Sequence, residues 1–260
     1  GDCVTIPADT HITLDVLTPA LSGLRILGTL SFQDGAAPVG VTSNVIIVEN
    51  GALEVGSADA PFMGNATITL DDQNSTDCGF LYRYLSLVVS GPGASLSLHG
   101  SPRPPSWLHL ASTAAVGSAI IELSEAPLWT PGEEIVLASS DFDANQAETR
   151  TITSVDGTRV ALSAPLSYSH FGGFLGAEHD PNGIGVDART EVGLLTRNIV
   201  LKGTPRADSL RYSRAARFNE CDGHCRIGGH IIVMGGGSAR VAWTQLDSLG
   251  DEGQLGRYAL

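Results

Sequence analysis

The sequence predicts an all-β fold, and three observations predict it. Gly 31 plus Pro 13 makes 44 of 260 residues, or 17%, against an average near 12%. With 42% of residues hydrophobic, that excess signals frequent turns rather than disorder. Apolar and polar residues alternate with period two through most of residues 1–100, and no segment there sustains the 3.6-residue period of a helix. Finally, a glycine, a turn and a strand recur in the same cadence: Gly28-Thr-Leu30-Ser-Phe32, Gly51-Ala-Leu53-Glu-Val55 and Gly93-Ala-Ser-Leu96-Ser-Leu98.

Leu30 and Leu53 are 23 residues apart, and Leu53 and Leu96 are 43 apart, close to two such steps. A β-rich period in the low twenties suits a solenoid, in which each rung stacks on the next at about 4.8 Å. A β-sandwich with coincidental spacing satisfies the same pattern.

Individual elements follow from local sequence. Strands are expected at Val4–Ile6, Ile12–Leu14, Leu24–Ile26, Leu30–Phe32, Val45–Val48, Leu53–Val55, Ile68–Leu70, Leu85–Val89 and Leu96–Leu98. Ser101-Pro-Arg-Pro-Pro105 breaks this series. Residues 116–167 read as a small separate β-unit, with turns at Pro131-Gly132 and Asp156-Gly157, the second a hairpin signal. Residues 168–186 are loop-rich, and strands resume at Val192–Leu195, Ile199–Leu201, Ile231–Val233 and Val241–Trp243. The division is therefore 1–115, an inserted unit 116–167, and a continuation 168–260. Trp107, Trp129 and Trp243 are read as core or corner-packing residues.

Net charge is −13, which argues against nucleic acid as a partner. Residues 1–188 hold 21 acids and 5 bases, and residues 189–260 hold 7 acids and 10 bases. No apolar stretch approaches the roughly 18 residues of a membrane span. The start, Gly1-Asp2-Cys3, has neither Met nor a signal-peptide core, as in a processed protein or an excised piece. Four cysteines (Cys3, Cys78, Cys221, Cys225) and two sequons (Asn65-Ala-Thr67, Asn74-Ser-Thr76) favour a secreted or cell-surface setting. Asn65 and Asn74 are the glycosylation candidates.

Several phrases resemble one family. Gly1-Asp-x-Val4-Thr-Ile-Pro7, Leu24-x-Ile-x-Gly-Thr-Leu30-x-Phe32 and Asn50-Gly-Ala-Leu53-Glu-Val-Gly56 are similar to the extracellular domain named for its eight glycines. This is the domain of the fibrocystin, cell-migration-inducing hyaluronan-binding and transmembrane-hyaluronidase group. Trp129-x-Pro-Gly132-Glu-Glu-Ile-Val136, the run Val186-Asp-Ala-Arg189-Thr-Glu191-Val-Gly-Leu-Leu-Thr-Arg197-Asn-Ile199, Gly228-Gly-His230-Ile and Gly253-Gln-x-x-Gly256-Arg-Tyr258 extend the match along the chain. The resemblance implies a right-handed parallel β-helix and an extracellular location. It also implies an adhesive or carbohydrate-related role, with hyaluronan degradation in some members. After Gly-Arg-Tyr the family would carry a His-containing stretch. Ala259-Leu260 stands here, so activity residing in that stretch is not carried over.

The candidate chemistry is limited. Asp187, Arg189 and Glu191 alternate, so on one strand all three share a face as a carboxylate pair with an electrophilic Arg. Such acids would stand roughly 13 Å apart, beyond the ~5.5 or 6.5–9.5 Å of glycosidases. The competing reading is an Arg189 ion pair holding loop 176–186. Cys221-Asp-Gly-His224-Cys225 suits a tight disulfide loop better than zinc in an oxidising compartment. Cys3 with Cys78 is then the remaining pairing, unless either bonds outside the chain. Asp141-x-Asp143-x-Asn145 resembles the start of a calcium loop. Gln146 and Ile152, however, stand where an EF-hand needs Gly and Glu. An irregular calcium site or a solvated hairpin edge remains.

Arg206, Arg211, Arg214 and Arg217, interleaved with Tyr212 and Phe218, form the basic cluster. An acidic polysaccharide could dock there through Arg forks and aromatic rings, or the cluster could pair with the acidic half of the chain. His11, His99, His109, His170 and His179 show no triad spacing. The sequence therefore points to a structural or adhesive module whose strand ends are capped by other domains or subunits. A hyaluronidase-type hydrolase is the alternative.

Overall fold

The computed structural model describes residues 1–71, 77–80, 85–176, 183, 185–204, 228–250 and 258–260. Arg206, Arg211, Tyr212, Arg214, Arg217, Cys221, Cys225 and the sequon asparagine Asn74 lie outside them. The described residues are all-β apart from one 3-10 turn, Ala144–Gln146. Two compact units are present, Gly1–Pro102 with Arg197–Leu260 and, separately, Arg103–Thr196.

The first unit is three stacks of parallel strands. One contains β1 (Cys3–Ile6), β3 (Gly23–Ile26), β6 (Val45–Glu49), β9 (Ser86–Ser90) and β20 (His230–Met234), hydrogen-bonded in that order. The second contains β2 (His11–Leu14), β4 (Thr29–Phe32), β7 (Ala52–Val55), β10 (Ser95–His99) and β21 (Ser238–Ala242). The third runs β5 (Val39–Ser43), β8 (Ala66–Leu70), β19 (Ile199–Gly203), β22 (Thr244–Asp247). Each pass of the chain visits the three stacks in the same order, and the next pass pairs in parallel beside it.

Register makes the core. Val4, Leu24, Ile46, Leu87 and Ile231 are successive Cα partners. So are Ile12, Leu30, Leu53, Leu96 and Ala239 in the second stack, and Val41, Ile68, Leu201 and Leu246 in the third. Side chains at alternate positions face inward, and apart from the end members Val4, Ile12 and Leu246 these columns fuse into one apolar cluster. Leu30, Leu53 and Leu96, singled out by the repeat, are therefore true register partners.

The repeat misreads one interval. The step from Leu53 to Leu96 is a single pass, not two, because the connections before β8 and before β9 are longer than those before β5 and β6. Val45–Val48 and Leu87–Val89 are also continuously apolar rather than alternating. Their outward residues Val45, Ile47 and Val88 form a second small cluster against Phe80 and Ile232, so here the outer face of the sheet is covered as well.

The corners demand glycine. A Cβ on Gly51 would press on the carbonyl oxygens of Gly28 and, at 2.8 Å, Ile26. Gly23 lies under the Cys3–Cys78 disulfide, where a Cβ would meet Cys78 Sγ at 2.9 Å. The Asp34 carboxylate accepts from the amides of Met63 (3.0 Å) and Gly64 (2.7 Å), tying two passes together.

The second unit is antiparallel. β11 (Trp107–His109), β18 (Glu191–Leu194), β13 (Glu134–Leu137), β14 (Glu148–Asp156), β15 (Arg159–Leu162) and β12 (Ile120–Glu122) form one six-stranded sheet in that order. Leu108, Ile121, Ile135, Leu137, Ile152, Val160 and Val192 supply its core. β14 and β15 meet at the Asp156-Gly157 turn, with Gly157 at φ +58°. A two-stranded ribbon, β16 (Phe174–Leu175) and β17 (Val186–Asp187), completes the unit. This unit is wider than the 116–167 read from strand spacing. Glu191–Leu194, grouped from sequence with the resumed strands, instead pairs antiparallel to β11 and β13. Its alternation is the same in either kind of sheet, so the pattern carries no partner information.

Trp129 is buried, with its indole N–H donating to the Pro105 carbonyl at 2.8 Å. Trp107 departs from the expected core role, at 54% exposure.

Gly51→Ala is expected to destabilise the protein by about 1–3 kcal/mol, because carbonyl oxygens cannot yield to the new methyl. Gly35→Ala, with no heavy atom within 4 Å of the added carbon, is expected to be neutral. Leu53→Ala, 0% exposed, should cost about 2–5 kcal/mol. Urea denaturation of the three variants checks the ranking.

Candidate functional site

Asp187, Arg189 and Glu191 do not share a strand. β17 ends at Asp187 and β18 begins at Glu191, so the chain turns between them and the straight-strand estimate of their separation does not apply. Arg189 folds back onto Asp187. Its amide donates to Asp187 Oδ1 at 3.1 Å, Nε to Oδ1 at 2.9 Å and Nη2 to Oδ2 at 2.8 Å. The Arg189 side-chain hydrogen bonds are the main reason the Asp187 carboxyl is held down at about 2, with slight burial opposing and the Arg189 amide and the His109 ring adding to the effect. The Arg189 guanidinium also lies over the Phe174 ring, 5.0 Å from its centroid. Glu191 is exposed and stands opposite His109 in the antiparallel register.

A carboxyl ionised down to about pH 2 cannot act as a proton donor near neutrality. Both of its oxygens are already engaged by Arg189. Asp187 and Arg189 thus form an ion pair beside the break between β17 and β18, and Glu191 is exposed and takes no part in it.

A second polar cluster is internal. Glu148 is buried on β14 and accepts from the amides of Ser167 (2.8 Å) and Tyr168 (2.8 Å). It also faces His170 Nε2 at 3.1 Å and pairs with Arg150. His170 is fully buried, and its Nδ1 lies 2.9 Å from the Ala138 carbonyl oxygen. Burial alone would raise the Glu148 pKa, but the Ser167 and Tyr168 amides and the His170 ring outweigh it and bring it to about 2. Glu148 therefore latches the 163–170 segment onto the sheet.

Asp141 and Asp143 are turned to local backbone. Asp141 Oδ1 accepts from the Phe142 amide at 2.6 Å, and Asp143 Oδ1 from the Asn145 amide at 2.9 Å and from Asn145 Nδ2. Among the described residues, no group of three or more His, Cys, Asp or Glu side chains is placed to hold a metal ion. Asn65 is exposed immediately before β8. Cys3 and Cys78 are joined as a disulfide across a sequence separation of 75.

One residue escaped the sequence reading. The Asn198 side chain donates to the carbonyls of Phe62 (2.8 Å) and Gly64 (2.7 Å) and accepts from the Ser101 amide (2.8 Å). It thus binds both ends of the excursion between β10 and β19. Only the run Arg197-Asn-Ile199 hinted at it.

Residues 1–111 match the family model described as the G8 domain. The chain is 32% identical to Fibrocystin-L of Homo sapiens over 288 aligned residues, covering all of this chain and 7% of the relative. Fibrocystin of Canis lupus familiaris is 30% identical over 78% of this chain and 5% of its own length. A G8 domain-containing protein of Dictyostelium discoideum is 27% identical over 99% of this chain and 19% of its own length. Residues 1–111 are thus similar to a G8 domain, and the chain spans less than a tenth of the length of the fibrocystin relatives it matches. A solved structure, the Gp54 tailspike of Acinetobacter baumannii bacteriophage AP22 in complex with capsular saccharide, gives a TM-score of 0.28 at 13% identity, over 68% of this chain and 24% of that chain. That likeness is too low to support an argument.

Because the Glu148 pKa is lowered on folding, its stabilisation is complete above the unfolded value of 4.5 and drains away as pH falls towards about 2. Glu148→Gln is expected to lower stability near neutrality by about 1–3 kcal/mol and to flatten that acid limb. Denaturant titrations of both proteins from pH 7 to pH 3 check it.

Proposed function

We propose that this chain is a non-catalytic structural or adhesive module of a larger extracellular or cell-surface glycoprotein, and that it binds carbohydrate. In this reading the three parallel stacks are one right-handed parallel β-helix with the antiparallel unit inserted in it. The observation that carries it is the uninterrupted apolar core of the parallel unit. Leu24, Ile46, Leu87 and Ile231 are 0–5% exposed in a single column, as a stacked solenoid requires.

Other features support the same reading. The Cys3–Cys78 disulfide suits an oxidising compartment, and Asn65 is open to a glycan. The match of residues 1–111 to the G8 domain fits it as well. No helix among the described residues is long and apolar enough to cross a membrane. Interior positions at the two ends of the stacks remain open, with Val4 36%, Ile12 43%, Val233 39% and Leu246 39% exposed. Capping by neighbouring domains or subunits would cover them.

Incubation with size-defined hyaluronan separates this reading from the hydrolase. No shortening of the polymer is expected. Reproducible shortening that disappears in Asp187→Asn or Arg189→Ala would overturn the non-catalytic assignment.

A further inference from the structure

Edge strand β11 and the β16–β17 ribbon carry aromatic rings that the unit's core does not use. On edge strand β11, Trp107 and His109 project to one side while Leu108, between them, is 4% exposed and inward. The Trp107 indole meets the His109 ring edge-on, with centroids 5.2 Å apart and planes at 80°. Gly193 stands opposite Trp107 and offers no side chain to cover it. Even a Cβ there would touch only Val136 Cγ1, at 3.5 Å, so the space beside the indole is open. Opposite His109 stands the exposed Glu191 carboxylate. Phe174, 47% exposed, carries the Arg189 guanidinium over its ring, and Asp187 holds that guanidinium in place.

An exposed indole on an edge strand contributes little to folding. Trp107 is absent from the unit's apolar cluster. What these residues offer is an exposed indole at Trp107, a half-exposed Phe174 ring with Arg189 over it, and the planar polar groups of His109, Glu191, Asp187 and Arg189. A pyranose ring has complementary chemistry: apolar axial C–H faces for an aromatic plate and hydroxyls around its rim for planar polar groups. The charges, two carboxylates against one guanidinium, disfavour an acidic polymer.

We propose that Trp107, His109, Phe174, Arg189, Asp187 and Glu191 form a binding strip for a neutral oligosaccharide. This deepens the carbohydrate-binding part of the preceding reading and rests on it.

The probes are cellotriose and chitotriose, with a hyaluronan tetrasaccharide as the acidic comparator, titrated into the full chain and followed by the indole N–H resonances in heteronuclear NMR. The expected result is that a neutral trisaccharide moves the Trp107 resonance and leaves that of Trp129, which is bonded to Pro105. The acidic tetrasaccharide is expected to move neither. Trp107→Ala and Phe174→Ala should each weaken binding on the order of tenfold, while Trp107→Phe retains most of it. An unshifted Trp129 resonance reports that each variant is folded.

Neutral-sugar binding unaffected by either alanine variant overturns the strip but leaves the carbohydrate-binding module standing. Preference for the hyaluronan tetrasaccharide at Trp107 overturns the ligand class. Absence of binding by all three probes overturns the strip, and glycan-array screening of the same chain then decides the wider reading.

Discussion

The structure depends on one constraint: a single pass of the chain cannot satisfy its own backbone. Each strand of the parallel unit leaves amides and carbonyls unpaired on both edges until the passes before and after it lie alongside. Stacking answers this and buries the inward columns in the same step. It also forces successive backbones into contact at the corners, which is why Gly28 and Gly51 tolerate no side chain. Gly28 and Gly51 are thus a geometric result of the stacking.

The antiparallel unit obeys different rules. Among its described strands β14 and β15 are joined by a tight turn at Gly157, whereas β11 with β18, β13 with β18 and β12 with β15 pair antiparallel across long stretches of sequence. Buried polar groups do more of its fastening. Glu148 gathers two amides, an imidazole and a guanidinium into one knot. Asp187 and Arg189 fasten the turn into β18 in the same manner, but at the surface.

Much of the parallel unit was legible because its signal is local. Leu30, Leu53 and Leu96 occupy equivalent places in consecutive passes, and the glycine before each strand marks the corner. What could not be read was anything set by pairing at a distance. Glu191–Leu194 has the alternation of a strand, yet nothing in those residues says that its neighbours are β11 and β13. Arg189 was legible as an ion-pair residue, whereas the break between Asp187 and Glu191 was not, since spacing assumes a continuous strand. Trp107 was misjudged because tryptophan is usually buried, and an edge strand opposite a glycine supplies nothing to bury it.

The excursion between β10 and β19 has a consequence for the order of assembly. β10 and β19 belong to the same pass, but the whole antiparallel unit is threaded between them. A ribosome must therefore finish that unit before the fourth pass can close. Until then β8 waits with one flank bare, its eventual partner β19 not yet made. Local hairpins form on microsecond timescales and would settle long before the rest arrives. The nascent protein thus spends an interval with an open edge, when a chaperone or a neighbouring copy could reach it.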